Sequence, residues 1–117
     1  MSKVSKKVDT QILLIEDDDV DVLLIRKLLD EISASSGQNF MVRHADRLQE
    51  AEILIRSSHS IDIILLDLSL PDSSGLNSVA RILECSPAKP IVVVTGLRDD
   101  KSGLEAIKMG AQDYLTK

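Results

Sequence analysis

One carboxylate directly follows a short run of purely apolar residues. Residues 63–66 are all isoleucine or leucine, Asp67 comes next, and Pro71 and Gly75 then require a loop. An ionised carboxylate is costly to bury, so we expect Asp67 at the C-terminal mouth of a buried strand. Open α/β sheets bind their ligands at this end of the strands. The sequence therefore predicts a functional carboxylate at position 67.

Three other apolar runs end in polar side chains in the same way. Glu16 and Asp17 follow the first run, Thr95 closes the fourth, and Lys117 follows the last. Because the carboxyl ends of parallel strands lie along one edge of a sheet, we expect these side chains to converge on Asp67. The common position of five polar groups from four strands is a stronger signal than any one of them.

The chemistry of this set is that of phosphoryl transfer assisted by a metal ion. Three neighbouring carboxylates repel one another, and a hard divalent cation such as Mg²⁺ relieves that repulsion through oxygen ligands. Asp67 is then placed to attack a phosphorus atom as a nucleophile and form an acyl phosphate. The ammonium of Lys117 would neutralise charge on the transferred group, and the hydroxyl of Thr95 would bond one of its oxygens.

Other titratable residues are predicted to have structural roles. Asp18, Asp19 and Asp72 are expected to cap helices or solvate loops, rather than to react. The two histidines, His44 and His59, are not placed with the acids by the pattern and are not expected to carry phosphate or metal.

The elements that must position these residues alternate between strand and helix. This alternation is typical of a parallel α/β sheet with crossover helices. Strands are predicted at 11–15, 40–45, 63–66, 90–95 and 111–116. Four helices are predicted between them. The first is at 20–32, the second follows a capping box formed by Asp46 and Gln49, the third is around 76–83, and the fourth runs from Asp99 or Asp100 to Met109. The first helix is expected to use an apolar stripe of Val20, Leu24, Leu28 and Ile32, with Ile25 and Leu29 beside it, and the third a stripe of Leu76, Val79, Ala80 and Leu83. Met109 is expected in the core.

Length and composition limit the function classes. The 117 residues suit one domain at 11–117, preceded by a flexible leader at 1–10 that holds the one basic cluster. A net charge of −5 argues against a nucleic-acid surface and a polybasic membrane anchor. No apolar run approaches the roughly 20 residues that span a bilayer. The single cysteine, Cys85, excludes an internal disulfide, and a cytoplasmic location is expected.

The motifs together resemble the receiver domain of two-component response regulators, a CheY-like family. The resemblance covers residues 11–117 and rests on four segments: Ile-Leu-Leu-Ile-Glu16-Asp17, Leu-Leu-Asp67-Leu-Ser-Leu-Pro71 through Gly75, Val-Val-Val-Thr95-Gly96, and Gly110-Ala111-Gln-Asp-Tyr114-Leu-Thr-Lys117. It implies a flavodoxin-like three-layer α/β sandwich whose five parallel strands have the order 2-1-3-4-5.

The resemblance also implies roles for individual residues. Asp67 would accept a phosphoryl group from a phosphohistidine on a histidine kinase or a histidine phosphotransfer protein, without turnover of an external substrate. Asp17 would bind Mg²⁺ directly and Glu16 through water, and the backbone carbonyl of Ser69 would be a further ligand. Thr95 and Lys117 would bind the phosphoryl oxygens, and the rotamer of Tyr114 would follow the position of Thr95.

The family usually continues past this lysine with a proline and a fifth helix, whereas the sequence ends at Lys117. We therefore expect a final helix to be missing from this sequence and the uncovered apolar face to cause self-association. An output domain would lie outside this chain.

Two alternatives remain. A phosphatase of the haloacid dehalogenase type also uses an aspartyl nucleophile, but Val20 and Asp21 fit its motif poorly and there is no room for a cap domain. A pseudo-receiver, which would bind partners without phosphorylation, is the more serious alternative, and the complete set of acids, threonine and lysine argues against it.

Overall fold

The computed structural model describes residues 9–57, 60–96 and 99–116, apart from the side chain of residue 74. Its elements are β1 (Thr10–Ile15), α1 (Asp19–Ser36), β2 (Phe40–Ala45), α2 (Leu48–Ser57), β3 (Ile63–Asp67), β4 (Ser69–Leu70), β5 (Ser73–Ser74), α3 (Leu76–Cys85), β6 (Ile91–Thr95), α4 (Asp100–Met109) and β7 (Asp113–Thr116).

The main sheet is parallel and has the order β2-β1-β3-β6-β7. The predicted order 2-1-3-4-5 is confirmed, because β6 and β7 are the fourth and fifth of the predicted strands. The short antiparallel pair β4–β5 was not predicted, and it lies in the loop that follows Asp67. Strand β2 lies at the edge of the sheet, and its residues alternate between half-buried and exposed as far as His44.

The sheet has helices on both faces. One core cluster joins alternate side chains of the central strands to α2, α3 and α4, as Leu66 and Val93 do with Ile82. On the other face, Ile12, Leu14 and Leu65 pack against α1 through Val22. Because successive side chains of a strand point to opposite faces, strands as apolar as β1 and β3 fill both clusters at once.

The first helix is longer than predicted and faces the sheet through a different stripe. It continues to Ser36 and ends at Gly37, whose φ of 76° is the left-handed conformation that favours glycine. Val22 is its buried residue, with Ile25 and Leu29 partly buried beside it. The predicted stripe was wrong: Val20 is 72% exposed, and Leu24, Leu28 and Ile32 are about half exposed. The periodic spacing of apolar residues located the helix. Because α1 has apolar residues in adjacent rows along its length, the spacing does not show which row packs against the sheet.

Helix α2 does not begin with the predicted capping box. The backbone amides of Leu48 and Gln49 donate to the two carboxylate oxygens of Asp72, at 2.8 and 2.9 Å. The amide of Asp46 instead donates to Oε1 of Glu50, at 3.3 Å. The cap therefore comes from a distant loop, which a local pattern does not reveal.

Smaller differences concern the last helices. In α3 the buried residues are Ser78, Val79 and Ile82, whereas Ala80 of the predicted stripe is exposed. Met109 is exposed, contrary to expectation. The predicted cap of α4 is confirmed, because the Asp99 side chain accepts from the Ser102 amide at 3.4 Å.

An apolar groove lies on the α1 face of the sheet. It encloses about 490 Å³ between strands β1, β3, β6 and β7 and the side of α1 that carries Leu24, Leu28 and Ile32. Within the described residues, α1 is the helix whose side chains join the core cluster on this face. None of the described helices combines the length and the hydropathy that crossing a bilayer requires.

Candidate metal centre and phosphoryl site

Asp67 is the last residue of β3, between β1 and β6, and its Cα is paired with that of Val94. It lies at the C-terminal edge of the sheet, as predicted. The residue is only 3% exposed. The amide of Gly75 donates to the carbonyl of Leu68 at 2.8 Å, and this bond closes the β4–β5 hairpin next to the acid.

Glu16 and Asp17 reach the same edge from the loop between β1 and α1. Carboxylate oxygens of Glu16, Asp17 and Asp67 all lie within 4.8 Å of one another. Glu16 is fully buried, whereas Asp17 is exposed. The predicted convergence of the three acids is therefore what the fold produces.

This donor set fits a hard divalent cation. Three carboxylates so close together repel each other, and their oxygens are the ligands that Mg²⁺ prefers. Because Asp17 is exposed, one side of the cluster is open to solvent, from which a hydrated ion could enter.

The loop that carries Glu16 and Asp17 is hydrogen-bonded to the end of β2, through one main-chain contact and one side-chain contact. The amide of Glu16 donates to the carbonyl of Ala45 at 3.0 Å, and Nε2 of His44 lies 2.7 Å from the carbonyl oxygen of Glu16. Asp18 caps α1 by accepting from the amides of Val20 and Asp21, at 2.8 and 3.1 Å. The structural role predicted for Asp18 is confirmed, and the link from His44 to this loop was missed.

Thr95 ends β6 at the same edge and is buried. Its hydroxyl donates to the carbonyl of Leu115 on β7, at 3.3 Å. Thr116 is paired with Thr95, so β7 brings the chain to this edge one residue before position 117. Lys117 itself lies outside the described residues, as do His59 and residues 1–8, which hold the basic cluster of the predicted leader. Ser69 begins β4, two residues after Asp67.

Tyr114 lies on β7 against α4. Its ring occupies the space beside Gly103, where an added Cβ would be 2.4 Å from two ring carbons. Its hydroxyl lies 3.5 Å from Asp100 Oδ1. Burial and the neighbouring Asp100 carboxylate raise the pKa of Tyr114 above its ordinary value. Sequence reasoning missed Gly103, although a glycine inside a predicted helix is unfavourable enough to suggest a packing reason.

Comparison with known proteins agrees with this geometry. The family model described as response regulator receiver domain matches residues 12–117. The cell cycle response regulator CtrA of Brucella ovis is 37% identical over 108 residues, which cover 92% of this chain and 43% of that protein. The chain spans less than half the length of the first curated relatives it matches.

Solved structures show the same fold. A two-component response regulator from Clostridium difficile superposes with a TM-score of 0.75 at 30% identity, covering 92% of this chain and 83% of that one. A response regulator from Burkholderia pseudomallei, described with a phosphorylated aspartic acid and a calcium ion, has a TM-score of 0.73 at 29% identity, with 93% and 60% covered. With its matched sequence, its strand order and its cluster of acids, the chain belongs to the response regulator receiver domain family.

Proposed function

We propose that this domain accepts a phosphoryl group on Asp67 in two-component signalling, with Mg²⁺ bound by Asp67, Asp17 and, through water, Glu16. The observation that carries the proposal is the approach of the three carboxylates to within 4.8 Å, at the strand end where Asp67 lies. The backbone carbonyl of Ser69 completes the protein ligands that we propose.

The transfer is a displacement at phosphorus. An oxygen of Asp67 forms a new bond to the phosphorus of a phosphohistidine, and the P–N bond breaks with its electron pair left on the imidazole. A bound Mg²⁺ would supply positive charge beside the phosphoryl oxygens. The Thr95 hydroxyl and the Lys117 ammonium would bind those oxygens as their charge increases. Attack of water at phosphorus later breaks the P–O bond to Asp67, which restores the carboxylate and releases inorganic phosphate.

The same contacts suggest how the phosphoryl group is sensed. In the structure the Thr95 hydroxyl donates to Leu115 on the neighbouring strand. A phosphoryl oxygen on Asp67 would compete for this hydroxyl, and the hydrogen bond from Thr95 to the Leu115 carbonyl would be lost. We propose that this change alters the population of Tyr114 positions and hence the surface of α4 and β7.

The partners follow from the chemistry of the donor. A histidine kinase or a histidine phosphotransfer protein would supply the phosphoryl group, in the cytoplasm. The response would be delivered by an output domain or a separate protein that recognises the altered surface. The Burkholderia neighbour, described with a phosphorylated aspartic acid and a calcium ion, supports a phosphoaspartate next to a divalent cation here.

Labelling with acetyl phosphate tests this function. Mass spectrometry of the wild type should show a phosphoryl increment that requires Mg²⁺, is labile to hydroxylamine and maps to Asp67. Asp67→Asn should abolish it, while Asp19→Asn, the same change at the start of α1, should not. Absence of labelling in the folded wild type would instead favour a binding module that acts without phosphorylation.

Metal binding is tested separately. Asp17→Asn should weaken Mg²⁺ binding roughly tenfold or more, equivalent to about 1.4 kcal/mol, because it removes a charged ligand. It should also stabilise the metal-free protein, since it relieves repulsion among the acids. Calorimetric Mg²⁺ titration and thermal melting measure the two effects, with Asp19→Asn as the matched control. Unchanged Mg²⁺ affinity in Asp17→Asn would exclude Asp17 as a ligand.

A further inference from the structure

We propose that His44 is a positioning residue for the metal-binding loop, an inference that rests on the proposed function. His44 is not assigned as a ligand. It acts through the main chain of Glu16, which joins one acid of the cluster to the next.

The contact defines the state of the imidazole. Nε2 of His44 lies 2.7 Å from the carbonyl oxygen of Glu16, well within hydrogen-bond distance. A carbonyl oxygen can only accept, so Nε2 must carry the hydrogen and donate. The ring is half-buried near the end of the edge strand β2.

The hydrogen bond from His44 to Glu16 takes the place of the next main-chain hydrogen bond of the β1–β2 ladder. The last paired residues of the two strands are Ile15 and Ala45, and the amide of Glu16 still donates to Ala45. In a continued parallel ladder, the carbonyl of Glu16 would receive a backbone amide from further along β2. The chain bends away after Ala45, and the side chain of His44 supplies a donor in that place.

The Glu16 residue is thus held on both sides, by its amide and by its carbonyl. The carbonyl belongs to the peptide unit that leads into Asp17, so its orientation determines the direction in which the Asp17 side chain leaves the loop. The next turn is fixed by the capping of α1 through Asp18. Without His44, the segment between these two anchors would have more freedom, and ordering it for a cation would cost free energy.

The experiment compares His44→Leu with His44→Gln at one pH. Leucine fills similar volume without a donor, whereas the Nε2 of glutamine reaches about as far from the backbone and can donate. Arg43→Leu is the control, since Arg43 precedes His44 on β2 and is exposed. Amide chemical shifts followed during an Mg²⁺ titration give the affinity, and urea unfolding gives the stability of each variant.

We expect His44→Leu to weaken Mg²⁺ binding about tenfold to a hundredfold, His44→Gln to recover most of this loss, and Arg43→Leu to have no effect. The carbonyl ¹³C shift of Glu16 in metal-free protein should change in His44→Leu and be largely retained in His44→Gln. This shift reports the hydrogen bond whether or not metal binds.

Two results would overturn the inference. One is unchanged Mg²⁺ affinity in a folded His44→Leu; the other is equal loss in the leucine and glutamine variants, which would indicate a need for the imidazole itself. If the wild type bound no Mg²⁺ and accepted no phosphoryl group, both the proposed function and the role of His44 in metal binding would be refuted. Retained binding in every variant would remove only the role of His44.

Discussion

Four aspartates near the candidate site show how position decides the role of one residue type. Asp17 and Asp67 direct carboxylate oxygens toward a shared centre with Glu16. Asp18 and Asp72 accept backbone amides at the starts of α1 and α2. A carboxylate at a helix start satisfies amides that have no partner within the helix and interacts favourably with the helix dipole. Of these four residues, Asp17 and Asp67 are the pair whose carboxylates meet at the candidate metal site.

Gly103 provides the space that Tyr114 occupies. In Gly103→Ala the added methyl group would overlap the ring, so we expect the side chain of Tyr114 to move away from α4. The pKa of Tyr114, raised in the wild type by burial and by Asp100, should then fall toward its ordinary value of 10.0. Absorbance titration measures it without ambiguity, because the chain has one tyrosine and no tryptophan.

Leu104→Ala is the control for this substitution. Leu104 is the next residue of α4 and is exposed, so its truncation should leave the tyrosine titration unchanged. A wild-type titration curve in Gly103→Ala would show that the ring does not depend on the space beside Gly103.

At the level of elements, the loop that follows Asp67 is bound to α2, the helix that precedes β3 in the chain. Asp72 lies between β4 and β5 and caps α2, and Arg81 of α3 forms an ion pair with Glu52 of α2. Burial acts to raise the pKa of Asp72, but hydrogen bonds from Leu48 and Gln49 outweigh it and lower the pKa below its ordinary 3.8. The start of α2 therefore depends on the conformation of the segment that follows Asp67.

Asp72→Ala should destabilise the domain by about 1 kcal/mol at neutral pH, because two helix amides lose their acceptor. The folded-state pKa of Asp72 is lowered, so its contribution is complete above about 3.8 and is lost as the pH falls through the folded value. The difference in urea stability between wild type and Asp72→Ala should therefore shrink in acid.

The control is Asp46→Ala, which removes the residue that the sequence pattern indicated as the cap. It should cost less than Asp72→Ala. Equal costs, or a difference that does not depend on pH, would contradict the assignment of the cap to Asp72.

For the whole molecule, the two sheet faces are covered unequally. Three helices cover the face that holds the larger core cluster, while α1 packs on the other beside the apolar groove. Exposed apolar surface of this extent favours association. The self-association predicted from the sequence stays a prediction, and the groove now gives it a location.

We expect the 117-residue chain to form dimers in which two copies bury their grooves against each other. Leu28→Glu should shift the chain toward monomer, because Leu28 lines the groove and is half exposed. Leu23→Glu places the same charge on α1 at a residue that is 68% exposed and does not line the groove, so it should have little effect. Light scattering over a range of concentrations measures the mass.

A wild-type chain that remains monomeric at high concentration would refute this expectation. Equal dissociation by Leu23→Glu and Leu28→Glu would place the contact elsewhere on α1.

Strands β1, β3 and β6 were predictable from the sequence because each is a short apolar run that a polar residue ends or follows. Residues 64–66, which lead to Asp67, are buried, and this pattern does not depend on distant contacts. The helix faces were less predictable. Helix α1 has apolar residues on most of its circumference, and only the position of the sheet decides that Val22 is buried and Leu28 is not.

From the sequence by itself, the motifs indicated the family, and the resemblance to that family implied the strand order. The convergence of Glu16, Asp17 and Asp67 followed separately, because parallel strands bring their carboxyl ends to one edge. The tertiary structure alone decided which distant groups support that edge. The bond from His44 to Glu16 and the cap from Asp72 to α2 join residues more than 20 positions apart. Such contacts depend on how strands and loops pack in three dimensions, and no local periodicity encodes them.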